Sequence, residues 1–283
     1  MYLHNNVASA KRFAQSIAER LDTFIDTERE SAPSALESIT SSNACPLSLE
    51  HVSYTYPNSN KAALDDITIS FERNTSYAVL GRSGAGKSTL ANVIRGALPI
   101  AHGRFTIFGQ VATMRTSNLS SIIGFIGQDP YLFNRTLREN LSLGVSSTDD
   151  AHLIAALESV GLGEKFSSLD DGLDTVIGET GIGFSGGETY RIALARVLIA
   201  DVPIIIVDEP FSALDPETER DLIDTLLDSC KGRTLIVITH HLAEIERFDH
   251  VVFIEDSRID LEGSPEELMR TSERFQTLIA FDR

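Results

Sequence analysis

The stretch SYAVLGRSGAGKSTLANVI, from Ser76 to Ile94, joins an apolar run, a glycine-rich turn and a helical pattern. The apolar run is typical of a buried strand, and the residues after Lys87 place apolar side chains at helical spacing. The turn fits the pattern G-x-x-x-x-G-K-[ST]. Its glycines allow a backbone that points several N–H groups into one concavity. The stretch therefore predicts an anion-binding loop between a strand and a helix.

This phosphate-binding loop (Gly81–Thr89) predicts where the parts of a nucleoside triphosphate bind. Lys87 supplies a point charge for the β- and γ-phosphates, Ser88 offers a hydroxyl to Mg²⁺, and Thr89 lies close enough to touch the α-phosphate. The alternative, a glycine turn without a ligand, is disfavoured because a strand precedes the turn and a helix follows it. We expect every residue of the loop to contribute, namely Gly81, Arg82, Ser83, Gly84, Ala85, Gly86, Lys87, Ser88 and Thr89.

Strand and helix patterns alternate along most of the chain. Residues 47–56 and 63–72 alternate between apolar and polar side chains, and later apolar runs such as IIIV (Ile204–Val207) are separated by helical patterns. This alternation predicts an α/β fold with a largely parallel sheet covered on both faces. A helical insert over about residues 113–200 is predicted inside the alternation, and no internal repeat is visible.

Two adjacent acids, Asp208 and Glu209, end the apolar strand of IIIVDEP. Ligands of α/β folds bind at the carboxyl ends of strands, so these acids are candidates for the same site as the phosphate-binding loop. We expect Asp208 to hold Mg²⁺, directly or through water, and Glu209 to polarise an attacking water molecule. A solvated turn is the alternative.

Composition excludes several classes of protein. The 283 residues are 42% hydrophobic and 7% aromatic, which is typical of a globular domain, and no run of 18 apolar residues is present. A formal net charge of −17 disfavours broad nucleic-acid binding. It does not disfavour nucleotide binding, which needs only a local group of backbone N–H groups and one lysine. The two isolated cysteines, Cys45 and Cys230, fit a reducing compartment and lack the spacing of metal ligands.

The N-terminal segment differs from the rest. Residues 1–28 place apolar side chains at helical spacing, and residues 27–43 have the composition of a linker. Two interpretations stay open: a disordered chain end, or the end of a longer helix that arrives from another domain. We predict residues 1–45 as helix and linker of a transmembrane domain, and residues 46–283 as one cassette with a core (46–112 and 201–283) and a helical subdomain (113–200).

Six short motifs occur here in the order of an ABC-type ATPase cassette: GRSGAGKST, Gln128, FSGGE, IIIVDEP, SALD and a threonine–histidine pair. The resemblance covers residues 47–283. It implies a P-loop NTPase (RecA-like) core with an antiparallel β subdomain and an inserted helical subdomain. It also implies ATP as substrate and Mg²⁺ as cofactor.

The resemblance assigns further roles. Tyr56 matches the aromatic residue that stacks on adenine, and Gln128 matches the residue that contacts Mg²⁺ and senses the transmembrane partner. Asp215 matches the loop that crosses to the second cassette, and His240 matches the histidine at the γ-phosphate. His241 is interpreted as a surface neighbour. The catalytic set implied is Lys87, Gln128, Glu209 and His240, and the metal set is Ser88, Gln128 and Asp208.

The signature segment FSGGE (Phe184–Glu188) is a second glycine-rich stretch without a lysine of its own. In the family that this chain resembles, the segment contacts the ATP held by the other cassette of a head-to-tail dimer. Ser185, Gly186 and Gly187 would therefore meet the partner's γ-phosphate. The commonest pattern is LSGGQ, so Phe184 and Glu188 are departures. The serine and both glycines remain, so the contact is expected to form, although the negative charge of Glu188 would weaken it.

Other segments resemble one kind of cassette. Gly178, Glu179 and Gly181 resemble the loop with which exporters contact their coupling helices. The segments FSGGE, YLFNRTLRENL and THHLAEIERFDHVVFIEDSRI resemble the CydC subunits of heterodimeric CydDC-type exporters, which support cytochrome bd assembly with thiols or haem as proposed cargo. This resemblance implies a CydD-like partner cassette, a transmembrane domain in the same full-length chain, and a place on the cytoplasmic face of the membrane.

The function predicted is an ATP-hydrolysing motor of a membrane exporter. Alternatives are an exporter ATPase for lipids, drugs or peptides, and a regulatory module that holds ATP without turnover, against which Glu209 and His240 argue. A soluble ABC ATPase of DNA repair or translation is a third alternative. The acidic charge and the lack of a coiled-coil insertion argue against it.

Overall fold

A computed structural model describes residues 45–57, 59–100, 102–112, 119–145, 148–178, 181–211, 215–241 and 244–281. The helix and linker predicted for residues 1–43 lie outside the described residues, and so does Glu179. No helix in the described ranges has both the length and the apolar character that crossing a lipid bilayer requires.

The strands and helices of the described residues follow in chain order. The strands are β1 (Leu47–Tyr54), β2 (Leu64–Phe71), β3 (Ser76–Leu80), β4 (His102–Ile107), β5 (Gln110–Val111), β6 (Ile123–Ile126), β7 (Arg135–Thr136), β8 (Val176–Ile177), β9 (Ile204–Asp208), β10 (Thr234–Ile238), β11 (His250–Glu255) and β12 (Arg258–Gly263). The α-helices are α1 (Lys87–Ile94), α2 (Leu137–Leu141), α3 (Asp150–Ser159), α4 (Gly163–Ser167), α5 (Gly186–Ile199), α6 (Pro216–Ser229), α7 (Pro265–Thr271) and α8 (Glu273–Phe281). Short 3₁₀ helices cover Leu119–Ser121, Gly172–Asp174 and Ile245–Arg247.

A six-stranded sheet in the order β12-β11-β3-β10-β9-β6 forms the core. The strands from β11 to β6 are parallel, and β12 returns antiparallel beside β11. All residues of β10, and all of β9 except its last, are buried, which explains why these strands are almost continuously apolar in sequence.

A second, antiparallel sheet has the order β2-β1-β4-β5. Its strand β2 buries every second or third residue, as expected when one face packs on the core and the other faces solvent. The predicted fold class, a parallel core with an antiparallel β subdomain, is therefore confirmed.

The helical part differs from its predicted bounds. Strand β6 lies inside the range 113–200 that was predicted as the helical subdomain, yet it pairs with β9 in the core sheet. The boundary at residue 113 is thus too early, and the helices α2 to α5 begin only at Leu137. The strand is short and contains Gly124, which weakens its sequence pattern. A side chain at Gly124 would collide with Val197, so the glycine allows α5 to approach β6 closely.

Candidate functional site

Four neighbouring parallel strands deliver the predicted residues to one edge of the core sheet. The phosphate-binding loop follows β3, Glu209 follows β9, His240 comes two residues after β10, and Gln128 comes two residues after β6. Because β3, β10, β9 and β6 are adjacent in this order, their carboxyl ends meet at the same edge. Ligands of open α/β sheets bind at such an edge.

The phosphate-binding loop depends on glycine at particular positions. Gly81 has a φ of 153° and Gly86 a φ of 115°, both in the region that side chains disfavour. A Cβ at Gly81 would collide with the Ile254 carbonyl oxygen, and one at Gly86 with the Ala63 carbonyl oxygen. Helix α1 starts at Lys87, so the last three residues of the loop form its first turn and their N–H groups face the same concavity.

Two glycines of this loop provide a matched pair of variants. Gly84→Ala meets no atom within 4 Å, so it should cost only the left-handed strain, about 1–2 kcal/mol of unfolding free energy. Gly86→Ala adds a collision with backbone and should cost roughly 3 kcal/mol or more. Urea unfolding without nucleotide measures both values. Equal losses would contradict the steric account of Gly86.

Lys87, Glu209 and His240 form a charged network. The Lys87 side chain is 6% exposed, and its ammonium donates to the Gly81 carbonyl oxygen at 2.7 Å. It also lies 3.6 Å from Oε1 of Glu209. The other carboxylate oxygen, Oε2, is 2.7 Å from Nδ1 of His240. One carboxylate thus lies between a buried cation and an imidazole, and the backbone of Glu209 is left-handed with a φ of 50°.

Ser88 and Asp208, two of the candidate magnesium ligands, contact each other. The Ser88 hydroxyl donates to Oδ1 of Asp208 at 3.5 Å. Burial raises the pKa of the Asp208 carboxyl; the Ser88 hydrogen bond opposes this effect, and the charge of Glu209 adds to it. A cation at this position would favour the ionised carboxylate.

The donor set fits magnesium held partly by a substrate. Within the described ranges, no group of three or more His, Cys, Asp or Glu residues could hold a metal ion by itself. Mg²⁺ is usually bound through one or two protein oxygens together with waters and substrate phosphates. Ser88, Asp208 and the nearby Gln128 would supply such oxygens, so these residues fit Mg²⁺.

A cavity of about 870 Å³ lies at this edge of the sheet. Tyr56 is 41% exposed at its wall, and its hydroxyl lies 3.3 Å from the Thr89 hydroxyl, while Tyr54 is buried. An exposed aromatic face beside the phosphate-binding loop suits a nucleotide base. The lining residues are Tyr56, Ala63, Gly81, Arg82, Ser83, Gly84, Gly86, Lys87, Ser88, Thr89, Gln128, Glu209, His240, Phe253 and Leu278.

The cavity includes most predicted residues but not all. Ala63, Phe253 and Leu278 line it without having been predicted, because nothing distinguishes them in sequence from other apolar residues. His241, interpreted as a surface neighbour, is only partly exposed and contacts Glu219 at 3.6 Å. The predicted residues that do not line the cavity are Ala85, Ser185, Gly186, Gly187, Asp208 and Asp215.

The signature segment begins helix α5. Ser185 is the N-cap residue: its hydroxyl accepts a hydrogen bond from the Glu188 N–H at 3.2 Å, and the Glu188 carboxylate accepts one from the Ser185 N–H at 2.7 Å. Gly186 needs no unusual backbone, and a Cβ there would meet no atom within 4 Å. Nothing in the described part of this chain therefore requires glycine at position 186.

Asp215 is the N-cap residue of helix α6, whose first turn lies beside the start of α5. Its Oδ1 accepts from the backbone N–H groups of Glu217 and Thr218, and its Oδ2 accepts from the Thr218 hydroxyl at 2.6 Å. These hydrogen bonds, the Thr218 hydroxyl first, hold the pKa of Asp215 below its usual value. A Cβ at Gly187 would lie 3.3 Å from Cγ2 of Thr218, so the start of α5 packs on the first turn of α6.

Comparison with known proteins identifies relatives of this arrangement. A model of the ABC transporter family matches residues 64–212. The chain is 40% identical over 83% of its length to the glutathione/L-cysteine transport system ATP-binding/permease protein CydD of Bacillus subtilis, and covers 41% of that protein. It is 34% identical over 93% of its length to the ATP-dependent lipid A-core flippase of Mannheimia succiniciproducens, and covers 44% of it.

A solved structure has the same fold. A bacterial Atm1-family ABC exporter with ATP bound matches 85% of this chain with a TM-score of 0.76 and 31% identity, over 42% of that exporter's chain. The chain thus spans about two fifths of the length of the relatives that it matches. These comparisons do not single out CydC, the subunit that the sequence resembles, because the relative with 40% identity is a CydD protein.

Proposed function

The chain belongs to the ABC transporter family as an ATP-hydrolysing nucleotide-binding domain of the exporter type, and we propose that it is the motor of a membrane exporter. The observation that carries this proposal is that the phosphate-binding loop and the signature segment of one chain do not line the same cavity. The phosphate-binding loop lines the 870 Å³ cavity, whereas Ser185, Gly186 and Gly187 do not line it. A glycine at position 186 without steric need suggests that its ligand comes from outside this chain.

Two such cassettes would associate head to tail, with one chain's signature segment on the ATP of the other. The N-terminus of α5 and the Ser185 hydroxyl would then face the γ-phosphate, for which a helix N-terminus is a favourable partner. ADP lacks this phosphate, so hydrolysis removes the contacts that favour the dimer. The cycle of association and separation is the motion that would drive transport.

The residues around the cavity have distinct tasks in hydrolysis. A water oxygen bonds to the γ-phosphorus and the bond to the β–γ bridging oxygen breaks, which yields ADP and phosphate. Glu209 orients the water and receives its proton, while Lys87 and His240 stabilise charge on the transferred group. Mg²⁺, held by Ser88 and Asp208 with Gln128 nearby, would supply Lewis-acid stabilisation of the phosphate oxygens.

The cargo proposed is a thiol of the glutathione or cysteine class. The support is the 40% identity to a CydD protein, which exceeds the 34% identity to a lipid A-core flippase. The natural assembly would be a heterodimer of the CydDC type, in which each chain also contributes a transmembrane domain. The cassette would then lie on the cytoplasmic face of the membrane.

Light scattering tests the dimer on which the proposal depends. The Glu209→Gln chain is expected to double its mass with Mg-ATP and to remain monomeric with Mg-ADP, because only ATP has the γ-phosphate. If it stays monomeric, a mixture with a CydD-type cassette should yield the ATP-dependent dimer. Absence of association in both experiments would overturn the proposal.

The Gly186→Ala variant distinguishes ATP binding by the phosphate-binding loop from association through the signature segment. The extra methyl group has open space in this chain, so we expect unchanged thermal stability and unchanged ATP binding to the isolated cassette. It would lie between the helix N-terminus and the partner's phosphate, so ATP-dependent association should fall about tenfold or more. Normal association of Gly186→Ala would mean that the signature segment does not contact the partner's nucleotide.

A further inference from the structure

Phe184 and Glu188, the two residues of the signature segment that depart from the common pattern, both contact Lys165. Nζ of Lys165 lies 3.3 Å from Oε1 of Glu188. The same ammonium lies 5.3 Å from the centre of the Phe184 ring, within the range of a cation–π contact. Lys165 belongs to α4, a short helix about twenty residues before the signature segment in sequence.

The two oxygens of the Glu188 carboxylate have separate partners. Oε2 accepts from the Ser185 N–H at 2.7 Å, and Oε1 pairs with Lys165. The carboxylate is therefore turned back onto the first turn of α5. Burial works to raise the pKa of Glu188, but the Ser185 N–H and the charge of Lys165 outweigh burial and hold the pKa below its usual value.

An ionised carboxylate at this place has an electrostatic cost. It lies in the first turn of a helix whose N-terminus would have to attract a phosphate, and like charges repel. A glutamine would hold the same hydrogen bond to Ser185 without charge. With Glu188, a cation close by is required to remove the repulsion, and Lys165 is the cation that the structure places there.

We propose that Lys165 is a positioning residue of the ATP site formed between two cassettes: it neutralises Glu188 and fixes its carboxylate away from the partner's γ-phosphate. The inference rests on the proposed function, because the phosphate in question belongs to the partner. It adds a residue outside the signature segment to the site. The Lys165 side chain is 36% exposed and the Glu188 side chain 27% exposed. An associating cassette would shield this ion pair further from water.

Four substitutions, alone or combined, test the inference in steady-state ATP hydrolysis. Lys165→Met should raise the ATP concentration for half-maximal rate by about three- to tenfold, with a maximal rate within about twofold of the parent, because charge compensation acts on binding of the phosphate. Lys165→Arg keeps the charge and should behave like the parent. In the Glu188→Gln background no charge is left to compensate, so Lys165→Met should have no effect. Lys231→Met, which breaks an exposed pair with Asp228, is the matched control.

A titration provides a second readout that a purely structural role would not move. The Glu188 carboxyl, followed by ¹³C NMR in the isolated chain, should titrate at higher pH in Lys165→Met than in the parent. An unchanged titration would overturn the inference, and so would a Lys165→Met effect of equal size with Glu188 and with Gln at position 188. A parent chain that neither associates nor hydrolyses ATP would instead refute the proposed function, even if the titration shifts as expected.

Discussion

Glu209→Gln is expected to lower the maximal rate of ATP hydrolysis by about 10²–10⁴-fold, the usual contribution of a general base. The amide has the size of the carboxylate but cannot accept the proton of the attacking water. ATP should bind at least as tightly, because the variant removes a negative charge 3.6 Å from the Lys87 ammonium. Phosphate release and equilibrium ATP binding, measured on the same preparation, give both quantities.

Glu246→Gln is a matched control for this variant. Glu246 is exposed in the 3₁₀ helix Ile245–Arg247 and does not line the cavity, so its substitution should leave hydrolysis unchanged. A Glu209→Gln chain that hydrolyses ATP within about twofold of the parent rate would remove Glu209 from its role as general base.

Asn140→Leu should produce a large loss of stability. Asn140 is fully buried, and its amide donates to the Phe133 and Thr136 carbonyl oxygens at 2.9 and 3.0 Å. Its oxygen accepts from the Phe133 N–H at 2.9 Å and from Nη2 of Arg196 at 2.8 Å. Burial lowers the pKa of Arg196 to about 10, so this cation depends on its hydrogen bonds.

Leucine has the same branching as asparagine but a larger volume, and it leaves these groups without their partner. Each buried group left unsatisfied costs about 1–3 kcal/mol, so the unfolding free energy should fall by roughly 3 kcal/mol or more. The thermal midpoint should fall by about 6–12 °C. The same substitution at the exposed Asn60 is the control and should change stability by less than about 0.5 kcal/mol. A loss at position 140 as small as the control would show that the network does not stabilise the fold.

The catalytic edge of the sheet could be predicted because its signals are local. Glu209 and His240 follow an apolar strand within two positions, Lys87 belongs to the loop that follows β3, and the carboxyl ends of adjacent parallel strands necessarily meet. The glycines of the phosphate-binding loop determine its backbone conformation, and they are visible in the sequence. Lys87 and Glu209 were therefore predicted from local patterns, whereas the roles of Gln128 and His240 were implied only by the resemblance to an ABC cassette.

Other features depend on contacts between distant segments. Strand β6 was missed because Gly124 weakens its pattern, although that glycine is what lets α5 pack on it. Strand β12 was not predicted because the turn before it, at Asp256 and Ser257, contains no glycine although both residues have positive φ, so the usual sequence signal of a hairpin is absent. The contact of Lys165 with Glu188 depends on the packing of α4 beside α5, and no pattern in either segment predicts it.

The left-handed backbone of Glu209 implies a conflict between stability and activity at one position. A non-glycine residue with a φ of 50° costs about 1–2 kcal/mol, and glycine would avoid that cost. A Glu209→Gly chain should therefore keep its resistance to denaturation while it loses turnover, because the relieved strain offsets the lost contact with the Lys87 ammonium, which still donates to the Gly81 carbonyl oxygen. Selection for a more robust protein in the laboratory, without a demand for hydrolysis, would not be expected to retain this glutamate. Thermostabilised forms of the cassette should for this reason be screened for turnover, because an inert one can fold as well as its parent.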